Sequence, residues 1–307
     1  MVYLLLISLA THLAQATNAF LINDNAQEIP RAYHGHWFSY ENGVGSSALV
    51  YEHTFGNLEL VDKFTHKNDY NYNGFFDGVN STMLMKVREG QHTCFYCVDV
   101  LMRTDNILQY RKSDCFTNNG GINMCPGKDQ VPAVDQLATL FRLTVTTVNC
   151  MSTFDGVYQF AFEQEMGAGG ICNNPDSTIE ACKNPGSPYV DNEVFLMKYA
   201  KCSNVSTSTN HTVRYQCMGT WSAMVGPVSY TFAAVADTVE RETRKRFKCL
   251  MTVKNQKSPD NSIRWVMSEF ADCSKLKSLD NGPVRLTLQP KIQHCNSIPP
   301  GIDALVG

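Results

Sequence analysis

Apolar and polar positions alternate with a period of two over much of the chain. In "GVYQFAF", Tyr158, Phe160 and Phe162 fall on one face and polar or small residues on the other, the signature of a strand with one buried side. "TLFRLTVTTVNC" (Thr139–Cys150) is rich in β-branched residues, and "VSYTFAAVA", "RFKCLMTVK", "IRWVMSEF" and "VRLTLQP" are further runs separated by Gly, Pro, Asn and Asp. Each reads as a strand bounded by turns. A helical period occurs in "PAVDQLATLF", where Pro132 suits a first turn and Val134, Leu137, Ala138 and Phe141 share a face. A short helical turn is expected at "DSTIEAC", with Asp176 or Ser177 as its cap. The pattern predicts an all-β protein with one short helix.

The first ten residues, MVYLLLISLA, form an apolar core of secretory-leader length. Small residues suited to cleavage follow at Ala14-Gln15-Ala16 and Thr17-Asn18-Ala19. The run is too short to span a bilayer, which takes about 20 apolar residues. Residues 1–19 are therefore expected to be a signal peptide. The terminal PPGIDALVG lacks the hydrophobic tail of a lipid-anchor signal, so a soluble, extracellular mature chain without stable membrane insertion is expected. N-x-S/T triplets at Asn80, Asn204 and Asn210 are candidate glycosylation sites. The formal net charge of −3 and the pI near 6.2 exclude the strongly basic character of a nucleic-acid binder.

The 12 cysteines fall into three sets of four: Cys94, Cys97, Cys115 and Cys125; Cys150, Cys172, Cys182 and Cys202; Cys217, Cys249, Cys273 and Cys295. In an oxidising compartment an even set reads as a disulfide framework. A weak repeat follows the same division: Gly35-His36-Trp37, Gly156-Val157-Tyr158 and Gly219-Thr220-Trp221 each open a block. Two or three small modules are expected, divided by the cysteine sets as residues 20–149, 150–212 and 213–307, with disulfides inside blocks. Cys94-Phe95-Tyr96-Cys97 admits three readings: two cysteines bridged elsewhere, half of a four-thiolate zinc site with Cys115 and Cys125, or a redox pair. The strand-like "VDVLMRT" that follows is the wrong setting for a redox pair, which needs a helix. The disulfide reading, with different partners for the two cysteines, accords with the leader.

His34 and His36 would share a face of a strand and could bind metal, but the sequence offers no third ligand. "RETRKRFK" (Arg241–Lys248) is a basic run, readable as a solvated face, a heparin-like contact or a convertase site. No H-E-x-x-H, G-x-S-x-G, P-loop or dinucleotide fingerprint is present in the sequence. Neither a cofactor nor a catalytic residue is expected.

The segments "RTDNILQYRKSDC", "LATLFR", "VNC…FDGVYQFAF", "ICNNPDSTIEAC", "YQCMGTW" and "RFKCLMTV…EFADCSKL" together resemble an uncharacterised family of secreted, cysteine-rich invertebrate proteins built of domains of unknown function. The resemblance covers nearly the whole mature chain. It implies an extracellular or cell-surface location and brings no catalytic residues. The chain departs from it in having no cysteine between Ala19 and Thr93. A second resemblance concerns fold: "YHGHWFSY" resembles the Gly-x-Trp opening strand of lipocalins, with "RTDN", the Pro132–Phe141 helix and "RLTVTTVNC" in the places of later elements. It implies a barrel in residues 20–149 with Gly35 and Trp37 at its floor. The expected function is a non-catalytic extracellular binding or matrix module, its partner an extracellular protein or glycan. The alternative is a carrier of a small apolar ligand within the N-terminal barrel.

Overall fold

A computed structural model describes residues 28–65, 80–125, 136–146, 148–149, 156–164, 170–181, 193–205, 208–253 and 261–292. Within these residues sixteen strands form two closed antiparallel barrels of eight. The first comprises β1 (Gly35–Glu41), β2 (Val44–Tyr51), β3 (Thr54–Phe55), β4 (Leu58–Thr65), β5 (Asn80–Glu89), β6 (His92–Thr104), β7 (Ile107–Lys112) and β8 (Ala138–Arg142). Each strand pairs with the next. Closure comes from β1 against β8, through Trp37 opposite Arg142 and Phe38 opposite Phe141. Local chemistry drives the meander. Asn42 and Gly43 both have positive φ, at 51° and 83°, so Asn-Gly makes the tight hairpin between β1 and β2.

Side-chain alternation fills the barrel. Tyr96, Val98 and Val100 of β6 point inward to meet Met83 and Met85 of β5, Leu108 of β7 and Leu140 of β8. Leu84 and Cys97 point outward, into a separate cluster with Cys125. This separates the two cysteines of the C-x-x-C: Cys94 is an interior residue and Cys97 an exterior one.

The second barrel comprises β9 (Val157–Gln164), β10 (Thr178–Glu180), β11 (Val194–Tyr199), β12 (His211–Val225), β13 (Val228–Asp237), β14 (Phe247–Val253), β15 (Ile263–Met267) and β16 (Val284–Ile292). It too is a meander, closed by β16 along β9. Tyr158, Phe160 and Phe162 are buried as the alternation predicts. They meet Phe195, Met197, Tyr199, Tyr215 and Trp265 in an aromatic interior.

The division at residue 212 is corrected. It falls inside β12, and β11 pairs with β12 from Val194–Gln216 to Tyr199–His211. Residues assigned to two modules therefore form one barrel, because neither half has enough strands to close alone. The three Gly-x-aromatic glycines do share a conformation, with φ of 147°, 154° and 143° at Gly35, Gly156 and Gly219. Gly35 and Gly156 stand at the start of a barrel. Gly219 instead lies at a bulge within β12.

Two helical expectations are also corrected where they fall on strand. Of Pro132–Phe141, residues 138–141 belong to β8, Gln136 is 3-10 helical, and residues 132–135 lie outside the described residues. Pairing with β1 and β7 satisfies this backbone, so the tertiary ladder overrides the helical period. "DSTIEAC" likewise contains β10, held between β9 and β11. Ser177 caps no helix; its hydroxyl accepts the Ala200 amide at 3.1 Å. Of Thr139–Cys150 only the part through Arg142 is strand among the described residues.

The barrels share a core. Phe38, Ile107 and Phe141, on the outside of the first, pack with Met218, Phe232, Ala234, Phe247 and Met251 on the outside of the second. Phe141 stacks on Phe247 at 5.1 Å between centroids. Asn106, fully buried, ties the joint: its Nδ2 donates to Met218 O at 2.9 Å and Thr146 O at 2.7 Å. The Thr146 amide donates back to Asn106 Oδ1 at 2.8 Å.

Candidate functional site

Three features hold enough chemistry to weigh as sites. One is the floor of the first barrel. Gly35 puts backbone, not a side chain, against Arg142: a Cβ there would lie 2.4 Å from Nη1. The guanidinium can then lie over Trp37, 4.3 Å from the ring centroid. It donates to the carbonyls of Asp105, His34 and Ala32. Trp37 is fully buried and gives its Nε1 hydrogen to Tyr33 O at 2.9 Å. Burial lowers the Arg142 pKa, with nearby Asp105 opposing. It pushes the Tyr33 hydroxyl up to about 12, offset in part by the bond to Ser81. The floor is thus a cation–π plug. Its chemistry is structural, since the guanidinium's donors are used on carbonyls.

At the other end of the barrel, Tyr110 donates to Glu41 at 2.7 Å and Tyr96 to Glu89 at 2.7 Å. The Tyr110 pKa is raised, first by burial and then by Glu41. On the outer wall Thr82 and Arg111 both donate to the buried Asp99 carboxylate, at 2.7 Å to Oδ1 and 2.7 Å to Oδ2. These networks are internally satisfied.

The third feature is a concavity of about 180 Å³ on the second barrel. Ala161 and Thr287, facing each other across β9 and β16, form part of its wall; Ile171, Leu279, Arg264 and Arg285 also line it. Arg264 pairs with Asp280 at 2.6 Å and Arg285 with Glu163 at 2.6 Å.

The remaining expected site residues sort as follows. Cys94 bonds Cys115, Cys97 bonds Cys125, Cys172 bonds Cys202 and Cys249 bonds Cys273. Every one of these pairs lies inside its expected set, and the two cysteines of the C-x-x-C have different partners. The zinc and redox readings of Cys94, Cys97, Cys115 and Cys125 are therefore overturned. Cys217 is also disulfide-bonded; Cys150, Cys182 and Cys295 lie outside the described residues, as does the leader. Asn204 and Asn210 are exposed. Asn80 begins β5. His34 is spent on Ile29 O, at 3.0 Å, and on stacking with Tyr51, while His36 is exposed. Among the described residues no group of three metal-ligating side chains occurs. Arg142 and Asn106 were missed by sequence reasoning. A cation inside the apolar run "TLFRL" was the available signal for Arg142; nothing local marks Asn106.

The folds and staples define a tandem of disulfide-bonded barrels, and four disulfides are typical of extracellular proteins. Residues 25–130 match the family model described as Domain of unknown function (DUF7044), and residues 148–290 match Domain of unknown function (DUF7042). The chain thus carries two domains of unknown function: the first match spans β1 to β7 and the second the strands of the second barrel through residue 290, while β8, which closes the first barrel, lies between them. No curated protein and no solved structure shows significant similarity to the chain.

Proposed function

We propose that the chain is a secreted glycoprotein that acts through the outer surface of its two barrels as an extracellular binding or matrix module, without catalysis. The observation that carries this reading is how the first barrel uses its interior. Trp37, Met83, Met85, Val98, Val100 and Leu108 all have zero exposure, so their apolar surface is engaged in packing. Recognition is then left to the outside, where Asn204 and Asn210 also stand ready for glycans. The disulfides hold that outer surface in shape. A second reading keeps the lipocalin-like carrier. An eight-stranded barrel is just wide enough for one small ligand, and the Met83–Met85 pair is adaptable enough to move aside for it.

One measurement separates the two: native mass spectrometry of protein secreted from eukaryotic cells, against its denatured and deglycosylated mass. The surface reading expects secretion, glycan mass and a chain lighter by 12 hydrogens for its 12 cysteines, with no further bound mass. Retention inside the cell or unmodified sequons would refute it. A mass that departs on denaturation would transfer the function to the barrel interior.

A further inference from the structure

The basic run Arg241–Lys248 and the arginine-lined concavity are far apart in sequence but joined by one loop, which connects β15 to β16. At one end of this loop the Ala271 amide donates to Arg244 O at 3.0 Å. Cys273 is bonded to Cys249, with 5.3 Å between Cα atoms. At the other end Arg264 donates to Leu279 O and Asp280, and Arg285 donates to Asp280 O at 2.7 Å. Between these anchors Leu276 and Leu279 are buried in the core shared by the barrels, while Lys275 and Lys277 are exposed. The alternation is a device for display: burying the leucines turns the lysines out.

The anchors of this loop thus string cations from separate parts of the chain into one strip. It starts at the single-turn helix Thr243–Arg246, crosses the loop lysines and ends at Arg264 and Arg285. Its carboxylates are mostly engaged. Glu242 pairs with both Arg244 and Lys245, Glu163 holds Arg285 and Asp280 holds Arg264; Glu269, Asp237 and Glu240 all act on Lys248, and Asp237 and Glu240 also accept backbone amides of their own turn. Arg241, Lys275 and Lys277 have no ion pair among the described residues. Asp280 is 76% exposed, so its bridge to Arg264 is worth at most about 1 kcal/mol and yields readily to another anion. In a chain of net charge −3 such a strip is a local concentration of positive charge, the footprint of a polyanion site.

We propose that this strip binds a sulfated polysaccharide: loop lysines and the basic helix along the chain, the concavity around a sugar unit whose sulfate displaces Asp280 from Arg264. The choice of a sulfated glycan over a nucleic acid rests on the extracellular reading above, because sulfated glycans are the abundant polyanions of that compartment.

The test is calorimetric binding of heparin by the intact, glycosylated protein, at several salt concentrations. The comparison variants are K275A/K277A, R241A and, as a control, Lys201→Ala, an exposed lysine between β11 and β12. None of these side chains is buried. The expected result is salt-dependent binding, weakened about tenfold or more in K275A/K277A, with the salt slope reduced by about 1 per cation removed. R241A should weaken binding less and K201A leave it unchanged. Failure of wild type to bind, equal binding by K275A/K277A, or equal affinity for fully desulfated heparin, single-stranded DNA or anionic phosphatidylserine vesicles would overturn the proposal. Because the protein used is already secreted and glycosylated, such a failure would leave the extracellular reading standing; a protein that is not secreted would remove that reading first.

Discussion

Replacing Gly219 by alanine tests whether the two barrels are locked by a close backbone approach. Gly219 has φ of 143°, a region that side-chain-bearing residues rarely adopt. A Cβ there would lie 2.3 Å from Thr104 Cγ2, 2.7 Å from its Cβ and 2.7 Å from its Oγ1. All three atoms belong to β6 of the other barrel, next to the Thr104 hydroxyl's bond to Met218 O at 3.1 Å. Two costs add. Backbone strain at such a position is about 1–3 kcal/mol, and overpacking a joint of this kind is about 1–3 kcal/mol. Gly219→Ala should therefore lose about 2–6 kcal/mol in equilibrium urea unfolding. Gly226, with φ of 58° and nothing within 4 Å of its Cβ position, supplies the backbone cost alone, so Gly226→Ala should lose only about 1 kcal/mol. Thr104→Gly removes every atom of the clash, and the double variant should recover the steric part, a coupling of about 1–3 kcal/mol in a double-mutant cycle. The reasoning is refuted if Gly219→Ala costs no more than Gly226→Ala, or if Thr104→Gly and Gly219→Ala are additive.

Asn106→Ala should cost about 2–4 kcal/mol, since it removes three bonds at the joint, one of them to the carbonyl of the fully buried Met218; an unchanged urea midpoint would contradict this. Arg142→Met removes the cation over Trp37 and its bonds to carbonyls. It should cost about 2–4 kcal/mol and increase acrylamide quenching of tryptophan fluorescence, with no change in quenching counting against the plug. Replacing Cys97 and Cys125 together by serine should cost about 2–4 kcal/mol, read as a lower thermal midpoint under non-reducing conditions. Burial lowers the Lys248 pKa to about 8. The unfolded chain then holds more protons than the folded one from about pH 8 to the ordinary lysine value. Stability should rise over that window until the buried tyrosines oppose it: Tyr33, raised to about 12, stays protonated when folded and makes stability fall above pH 10. Thermal midpoints from pH 7.5 to 9.5 should climb in wild type and flatten in Lys248→Met; equal slopes would contradict the assignment.

Sequence patterning reached the β class and the position of most strands because alternation in "VYQFAF" or "VRLTL" is set by a pleat with one buried side. It failed where neighbours distant in sequence decide. "LATLF" has a helical period, yet β1 and β7 offer it a ladder. The break at residue 212 followed cysteine grouping, which marks which cysteines pair but not how many strands are needed to close a barrel. Gly219 reads like Gly35 by motif and angle, but only its contact with Thr104 makes it a joint. Of the cation strip, Arg241–Lys248 was legible as a charge run. Lys275, Lys277, Arg264 and Arg285 were not, since their grouping depends on how the loop between β15 and β16 is anchored.

The apolar seat between the barrels also sets an order of events during synthesis. The first barrel can close once Arg142 has left the ribosome, but Phe141 stacks on Phe247, which follows it by 106 residues. At about 5–20 residues per second, the outer face of Phe38, Ile107 and Phe141 stands uncovered for roughly 5–20 s. Over that interval the nascent chain presents an aromatic patch on an otherwise finished barrel, the kind of surface that chaperones hold. Conditions that slow translation between residues 142 and 247 should therefore lower the yield of correctly paired protein more than the same delay after residue 292.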